Sequence, residues 1–129
     1  MLEFTAGCVA IEDDAETWRV GFADAEFNPK RYLLLRRERA PSAEDIELGL
    51  DGYHVEVNHE SHSAHGGIAS FELYRDRVIV EFEAEMVAAF GGVDAMRVAF
   101  ALREGQFAEL RHRLERLFAG EPCYLDCTA

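Results

Sequence analysis

The stretch 53–68, YHVEVNHESHSAHGGI, most narrows what this chain can become. In its first half Tyr53, Val55 and Val57 alternate with His54, Glu56 and Asn58. A period of two belongs to a half-buried β-strand, in which one face packs and the other meets water or a partner. Asn58 then opens a polar segment that ends at Gly66-Gly67, residues suited to backbone angles that side chains disfavour. Residues 59–67 therefore read as a loop, and it carries His59, His62 and His65. A sheet with one open face is the frame into which the remaining segments must fit.

Those segments repeat the alternation. Residues 2–11 read as a first strand, Glu12, Asp13 and Asp14 as an acidic turn, and Trp18, Val20 and Phe22 as the inward side of a hairpin partner. Residues 32–35 are apolar on both faces, as expected of a central strand covered on two sides, and Arg36, Arg37 and Arg39 mark its exit to solvent. Between 41 and 52 the acids Glu44, Asp45, Glu47 and Asp51 are mixed with Ile46, Leu48 and Leu50, in a helical turn or an irregular loop. Residues 69–74 and 78–84 make a hairpin about Arg75, Asp76 and Arg77. Residues 85–90 read as a short helix closed by Gly91-Gly92, and Met96, Val98, Phe100 and Leu102 as a last strand.

From 106 to 118 the period changes. Phe107, Leu110, Leu114, Leu117 and Phe118 fall within one arc of roughly 100° at helical spacing, which makes a helix that covers a sheet. Glu109 and Arg113 are placed to pair along it, and Gly120 with Pro122 ends it. The expected class is α+β: a mostly antiparallel sheet meander of six to eight strands packed by a C-terminal helix, in a single domain over 1–129.

Charge and cysteine content narrow the function. Twenty-five acidic residues against 13 basic ones leave a net charge of -12, a field that repels nucleic acid and anionic membrane and attracts a basic partner. The run Arg36, Arg37, Arg39 is too short to reverse it. Cys8, Cys123 and Cys127 form no disulfide framework, which suits a reducing, cytoplasmic setting. No apolar run approaches the ~20 residues of a membrane span.

His59, His62 and His65 are spaced as metal ligands would be on a helix, but a loop does not align them, and no cysteine or second histidine pair completes a zinc pattern. Neither a metal nor a cofactor is expected. Ser61 and Ser63 lack a nucleophile elbow, Glu81 and Glu83 share one strand face, and Cys123 and Cys127 lie near a frayed end. With no catalytic constellation, an acidic protein-binding module is favoured over an enzyme. Two alternatives stay open. One is a small ligand-binding or enzymatic β-rich domain whose site lies inside the curved sheet, lined by Tyr53, Trp18 and a histidine. The other is a homo-oligomer joined through a large apolar patch.

Four segments carry a resemblance: Val20-Gly21-Phe22-Ala23-Asp24, Tyr32-Leu33-Leu34-Leu35-Arg36-Arg37, Tyr53-His54-Val55-Glu56-Val57-Asn58 and Gly66-Gly67-Ile68. In this order and spacing, over about residues 4–118, the chain resembles the immunity protein 10 family of bacterial polymorphic toxin systems. The resemblance implies a cytoplasmic antidote that binds and neutralises a cognate toxin domain encoded beside it and has no activity of its own. The chain departs from the family pattern at His59, where an acidic or amide residue belongs, and at His65, where an aromatic does; the departures argue against a shared histidine metal site. A basic nuclease would suit an acidic inhibitor. The expected toxin-facing residues are Glu56, Asn58 and Glu60, together with the acidic segment Glu44, Asp45, Glu47 and Asp51.

Overall fold

A computed structural model describes residues 1–49 and 51–128. Leu50, one of the apolar residues of the acidic segment, lies outside them. The class is α+β, and among the described residues there are ten strands in two five-stranded sheets and one long helix near the C-terminal end.

The first sheet is a meander of consecutive strands: β1 (Leu2–Thr5) is excluded, and β2 (Cys8–Asp13), β3 (Thr17–Ala23), β4 (Tyr32–Glu38), β5 (His54–Val57) and β6 (His59–His65) lie side by side, every pair antiparallel. The second sheet has the order β1-β9-β8-β7-β10, with β7 (Ile68–Leu73), β8 (Arg77–Phe82) and β9 (Ala95–Ala99) antiparallel at its centre. Its two edges are parallel: β1 lies on β9, and β10 (Tyr124–Asp126) lies on β7.

Three corrections account for the strands beyond the expected six to eight. The stretch 2–11 is two strands in different sheets. Ala6 N–H still donates to Ala99 O, at 2.8 Å, and the chain then crosses at Gly7, where a Cβ would stand 2.7 Å from Asp24 O. The expected histidine loop is strand β6, flanked by Asn58 at φ 61° and by Gly66 and Gly67 at 74° and 96°. Turns do stand at Asn58 and Gly66-Gly67, and the polar residues between them pair with β5 because an edge strand need bury little. The segment expected to fray forms β10, with Phe71 N–H donating to Cys123 O and Cys127 N–H to Leu73 O, each at 2.9 Å.

Smaller differences follow from packing. Residues 84–86 form a single 3-10 turn rather than a helix over 85–90, since Phe90 must drop into the core, its ring 4.5 Å from that of Phe82. The last predicted strand stops at Ala99, which frees Phe100 to turn inward between Phe22 and Phe107. The acidic segment contains helix α1 (Ala43–Glu47), started by Ser42, whose Oγ accepts from Asp45 N–H at 3.0 Å.

Helix α2 (Glu104–Leu117) begins two residues before the expected start, because the Gln106 side chain reaches back to accept from Arg103 N–H at 3.0 Å. Phe107, Leu110, Leu114 and Leu117 are buried at the spacing read from sequence, and each contributes about 1.5–3 kcal/mol by leaving water. Arg113 does not pair with Glu109. It is drawn into an ion pair with Asp13 at the end of β2, while Arg111 binds Asp126 of β10 at 2.5 Å, so the helix ties the first sheet to the second. Arg37 of β4 completes the tie, its Nη1 donating to Leu117 O and Ala119 O at 3.0 and 2.7 Å. Val20, Phe22, Leu33, Leu35, Val55 and Val57 face this core with no exposed surface. Among the described residues no helix is long and apolar enough to cross a membrane.

Candidate functional site

Because inward residues of the first sheet are committed to the core, the intervening ones form its outer face. Strand register sets them in rows. One row runs Ala10, Gly21, Leu34, Glu56, Ser63, and the next runs Glu12, Arg19, Arg36, His54, His65. A third holds Cys8, Ala23 and Tyr32. Strand β4 was expected to be covered on both sides. Only Leu33 and Leu35 are buried, and Tyr32 and Leu34 stay half-exposed because no helix lies over this face.

Small residues at Cys8, Ala10, Gly21 and Ala23 leave the outer face concave. The hollow measures about 530 Å³, with Leu34 on its floor and Phe27 at its wall. Phe27 is 79% exposed, an unusual position for a large aromatic side chain. Its loop, between β3 and β4, is pinned by Asp24 N–H to Arg31 O at 3.0 Å and by Lys30 N–H to Asp24 Oδ1 at 3.1 Å. Among the described residues lining the hollow, the charged ones are Glu12 and Glu26.

At the edge of the hollow Tyr32 donates its hydroxyl to Glu56 Oε2 at 2.5 Å. Burial, the Glu56 hydrogen bond and the charges of Glu56 and Glu60 together push the phenol well above its ordinary range, so it remains a donor at any physiological pH. Glu56 is thereby held in place beside the hollow. Asn58 serves as a peg: its Oδ1 accepts from Tyr32 N–H at 2.8 Å, and its own N–H donates to Tyr32 O at 3.1 Å. Its left-handed backbone suits asparagine better than most residues.

The acids of α1 are elsewhere. Glu44 and Glu47 are exposed beside Ile46 and Leu48, which are 54% and 63% exposed, while Asp51 is half-buried near Arg37 and Trp18. This group follows Glu38, the last residue of β4, whereas Glu56, Asn58 and Glu60 surround Tyr32, the first. A seven-residue strand, about 20 Å, separates the two ends, so the structure does not merge the two acidic segments into one patch.

The four histidines of this stretch fall into two pairs. His54 and His65 meet edge to face on the outer surface at 4.9 Å, and burial, then Arg36 and His65, hold His54 down to about 4. His59 turns to Ser61, Nδ1 to Oγ at 2.7 Å, and His62 packs on Gly91, where a Cβ would meet its ring at 2.8 Å. The bulge in β6 leaves the rings of His59 and His62 tilted against each other at 5.7 Å, apart from the His54–His65 pair. Among the described residues no group of three His, Cys, Asp or Glu side chains is gathered to hold a metal. Cys8, Cys123 and Cys127 are free thiols, and burial pushes that of Cys123 up.

The alternative of a site lined by Tyr53, Trp18 and a histidine is only partly assembled: a cleft of about 320 Å³ joins Tyr53 and His65 with Arg37, Asp51, Glu83 and Glu121, and Trp18 is not part of it. Tyr53 is buried edge to face against Phe118 at 5.2 Å and accepts from Ile68 N–H at 3.0 Å. Trp18 stands at the rim under Arg39, and His54 is on the opposite face. Sequence reasoning missed the hollow. Its trace was the outward phase of β2 and β3, where Cys8, Ala10, Gly21 and Ala23 are small and uncharged although a solvated strand face usually carries polar side chains.

No curated protein matches the sequence. The family model for immunity protein 10 matches residues 5–108, which include every strand of the first sheet, the hollow on its outer face and the start of α2. This chain therefore belongs to the immunity protein 10 family.

Proposed function

We propose that this protein is the antidote of a polymorphic toxin: it binds a cognate bacterial toxin domain in the cytoplasm and neutralises it by occupying its surface, without chemistry of its own. The observation that carries the reading is family membership over most of the chain. The physical properties support it. A net charge of -12 accelerates encounter with a basic protein, and nucleases, whose surfaces must attract phosphate, are the toxin class this field suits best. The toxin-facing surface centres on Glu56, Asn58 and Glu60. Glu56 is preorganised by Tyr32, so little side-chain freedom is lost on binding. Glu44, Asp45, Glu47 and Asp51 form a second patch beyond the far end of β4, with Ile46 and Leu48 between the acids as apolar contacts.

The test is titration calorimetry against the C-terminal domain of the toxin-like protein encoded beside it, at 50 and 300 mM salt. Tight binding that weakens with salt is expected; absence of binding refutes the pairing. Reversal of Glu56 and Glu60 to lysine should slow association most. If affinity and its salt dependence both persist in that variant, the toxin-facing assignment falls.

A further inference from the structure

We propose that the hollow on the outer face of the first sheet seats an apolar side chain of the toxin domain, presented between basic residues that pair with Glu12, Glu26 and Glu56. The inference rests on the antidote reading and names the point of attachment. Three features converge. First, the hollow has a defined size and shape: about 530 Å³, floored by Gly21 and Leu34 and walled by Phe27, it lies in the size range of sites that bury a compact group. Second, it is formed before anything binds, since Asp24 closes the base of the Phe27 loop by bonding to Arg31 and Lys30 and its floor is a hydrogen-bonded sheet. Partners that keep such a shape lose little freedom on association.

Third, charge selects the occupant. Glu12 and Glu26 supply the charged lining among the described residues, and Glu56 and Glu60 stand around Tyr32 at the edge. An uncharged small molecule would leave these carboxylates without a partner. A second copy of the same chain, carrying -12, would bring like charge to it. An aromatic or aliphatic anchor flanked by arginine or lysine satisfies both centre and rim, the arrangement of an interface hot spot surrounded by a polar border.

The hollow can be filled from within without disturbing the fold. A Cβ at Gly21 would come no nearer than 3.7 Å to Leu34 Cδ1, an ordinary contact, so Gly21→Val places its methyls in the space the anchor needs. Phe27→Ala removes the wall at an exposed position. Leu125→Ala, on the second sheet and 49% exposed, is the control. Each variant is titrated by calorimetry with the neighbouring toxin-like protein's C-terminal domain, and its melting temperature is measured alone. Gly21→Val and Phe27→Ala should each weaken binding about thirtyfold or more, with melting within 2–3 °C of the parent, while Leu125→Ala binds as the parent does. Parent-like affinity, within about twofold, in both hollow variants overturns the seat and leaves the antidote reading standing. If the parent protein itself does not bind, the antidote reading fails and the seat with it. Concentration-dependent dimerisation that Gly21→Val abolishes overturns the proposal in favour of a second copy.

Discussion

The contact most exposed to a clean test is Arg37. It leaves β4 on the inward side and caps the last turn of α2, donating to Leu117 O at 3.0 Å and Ala119 O at 2.7 Å, carbonyls that a helix end leaves without partners. A hydrogen bond from a charged donor contributes roughly 1.5–3 kcal/mol, and the favourable placement of a cation at a helix C-terminus about 0.3–1 more. Water reaches one of the two carbonyls and replaces part of this, so Arg37→Met, which keeps the aliphatic stem, should cost about 1.5 kcal/mol. For a chain of 129 residues the unfolding entropy is about 0.27 kcal/mol/K, and the loss corresponds to a melting point lower by about 5 °C. Arg36→Met supplies the comparison. Its side chain is on the other face of the same strand, exposed, and should change stability by less than about 0.5 kcal/mol. Thermal unfolding followed by circular dichroism at pH 7.5 measures both. Equal melting points for Arg37→Met and the parent would refute the claim that β4 anchors the helix end.

Other consequences can be measured on the same samples. His54, held near 4 against an ordinary 6.5, stays neutral in the folded protein while the unfolded chain takes up a proton, so its contribution is complete above pH 6.5 and drains away as pH falls toward 4. Discounted for the solvent that reaches the ring, the loss is about 1 kcal/mol, and urea denaturation at pH 7.5 and 4.5 should show the parent losing that much more than His54→Gln. Gly67→Ala combines φ 96° with a Cβ 3.2 Å from the Phe90 ring and should destabilise by about 1–3 kcal/mol, whereas Gly105→Ala, in the first turn of α2 with open space around it, should stabilise by up to about 1 kcal/mol. A melting point raised by Gly67→Ala contradicts the first. Leu110→Ala, fully buried on α2, should cost about 2–5 kcal/mol in urea unfolding, and a cost under 1 would mean the helix does not close the core as described.

What the sequence revealed of the fold depended on how many neighbours each segment buries. In β3, β5 and β8 alternate residues are wholly enclosed, and in α2 the buried residues recur at three and four, so these elements were legible in the chain. Strand β6 buries none of its residues fully, and its pairing comes from backbone hydrogen bonds that any composition can make. Strand β10 is three residues long and pairs with a strand fifty positions earlier, which leaves no local pattern. At the candidate surface the alternation marks Glu56 and Asn58 as outward, but both are half-buried through their bonds to Tyr32, and of the three only Glu60 is exposed. The hollow was not legible, because concavity arises when small residues on two neighbouring strands fall into register beside the larger side chains of a third, and register is decided by the whole sheet.

The two sheets also differ in how early they can exist. The first joins only neighbours in sequence, from Cys8 to His65, and each hairpin can close as soon as its second strand has emerged. The second cannot finish until Leu2 has found Met96 and Phe71 has found Tyr124. Such long closures place folding on the millisecond-to-second scale of β-rich domains rather than that of helical bundles. A newly made chain can therefore pair the strands of its first sheet before the sheet behind it is complete, and the last pairings to become possible are those of the first strand with the ninth and of the tenth with the seventh.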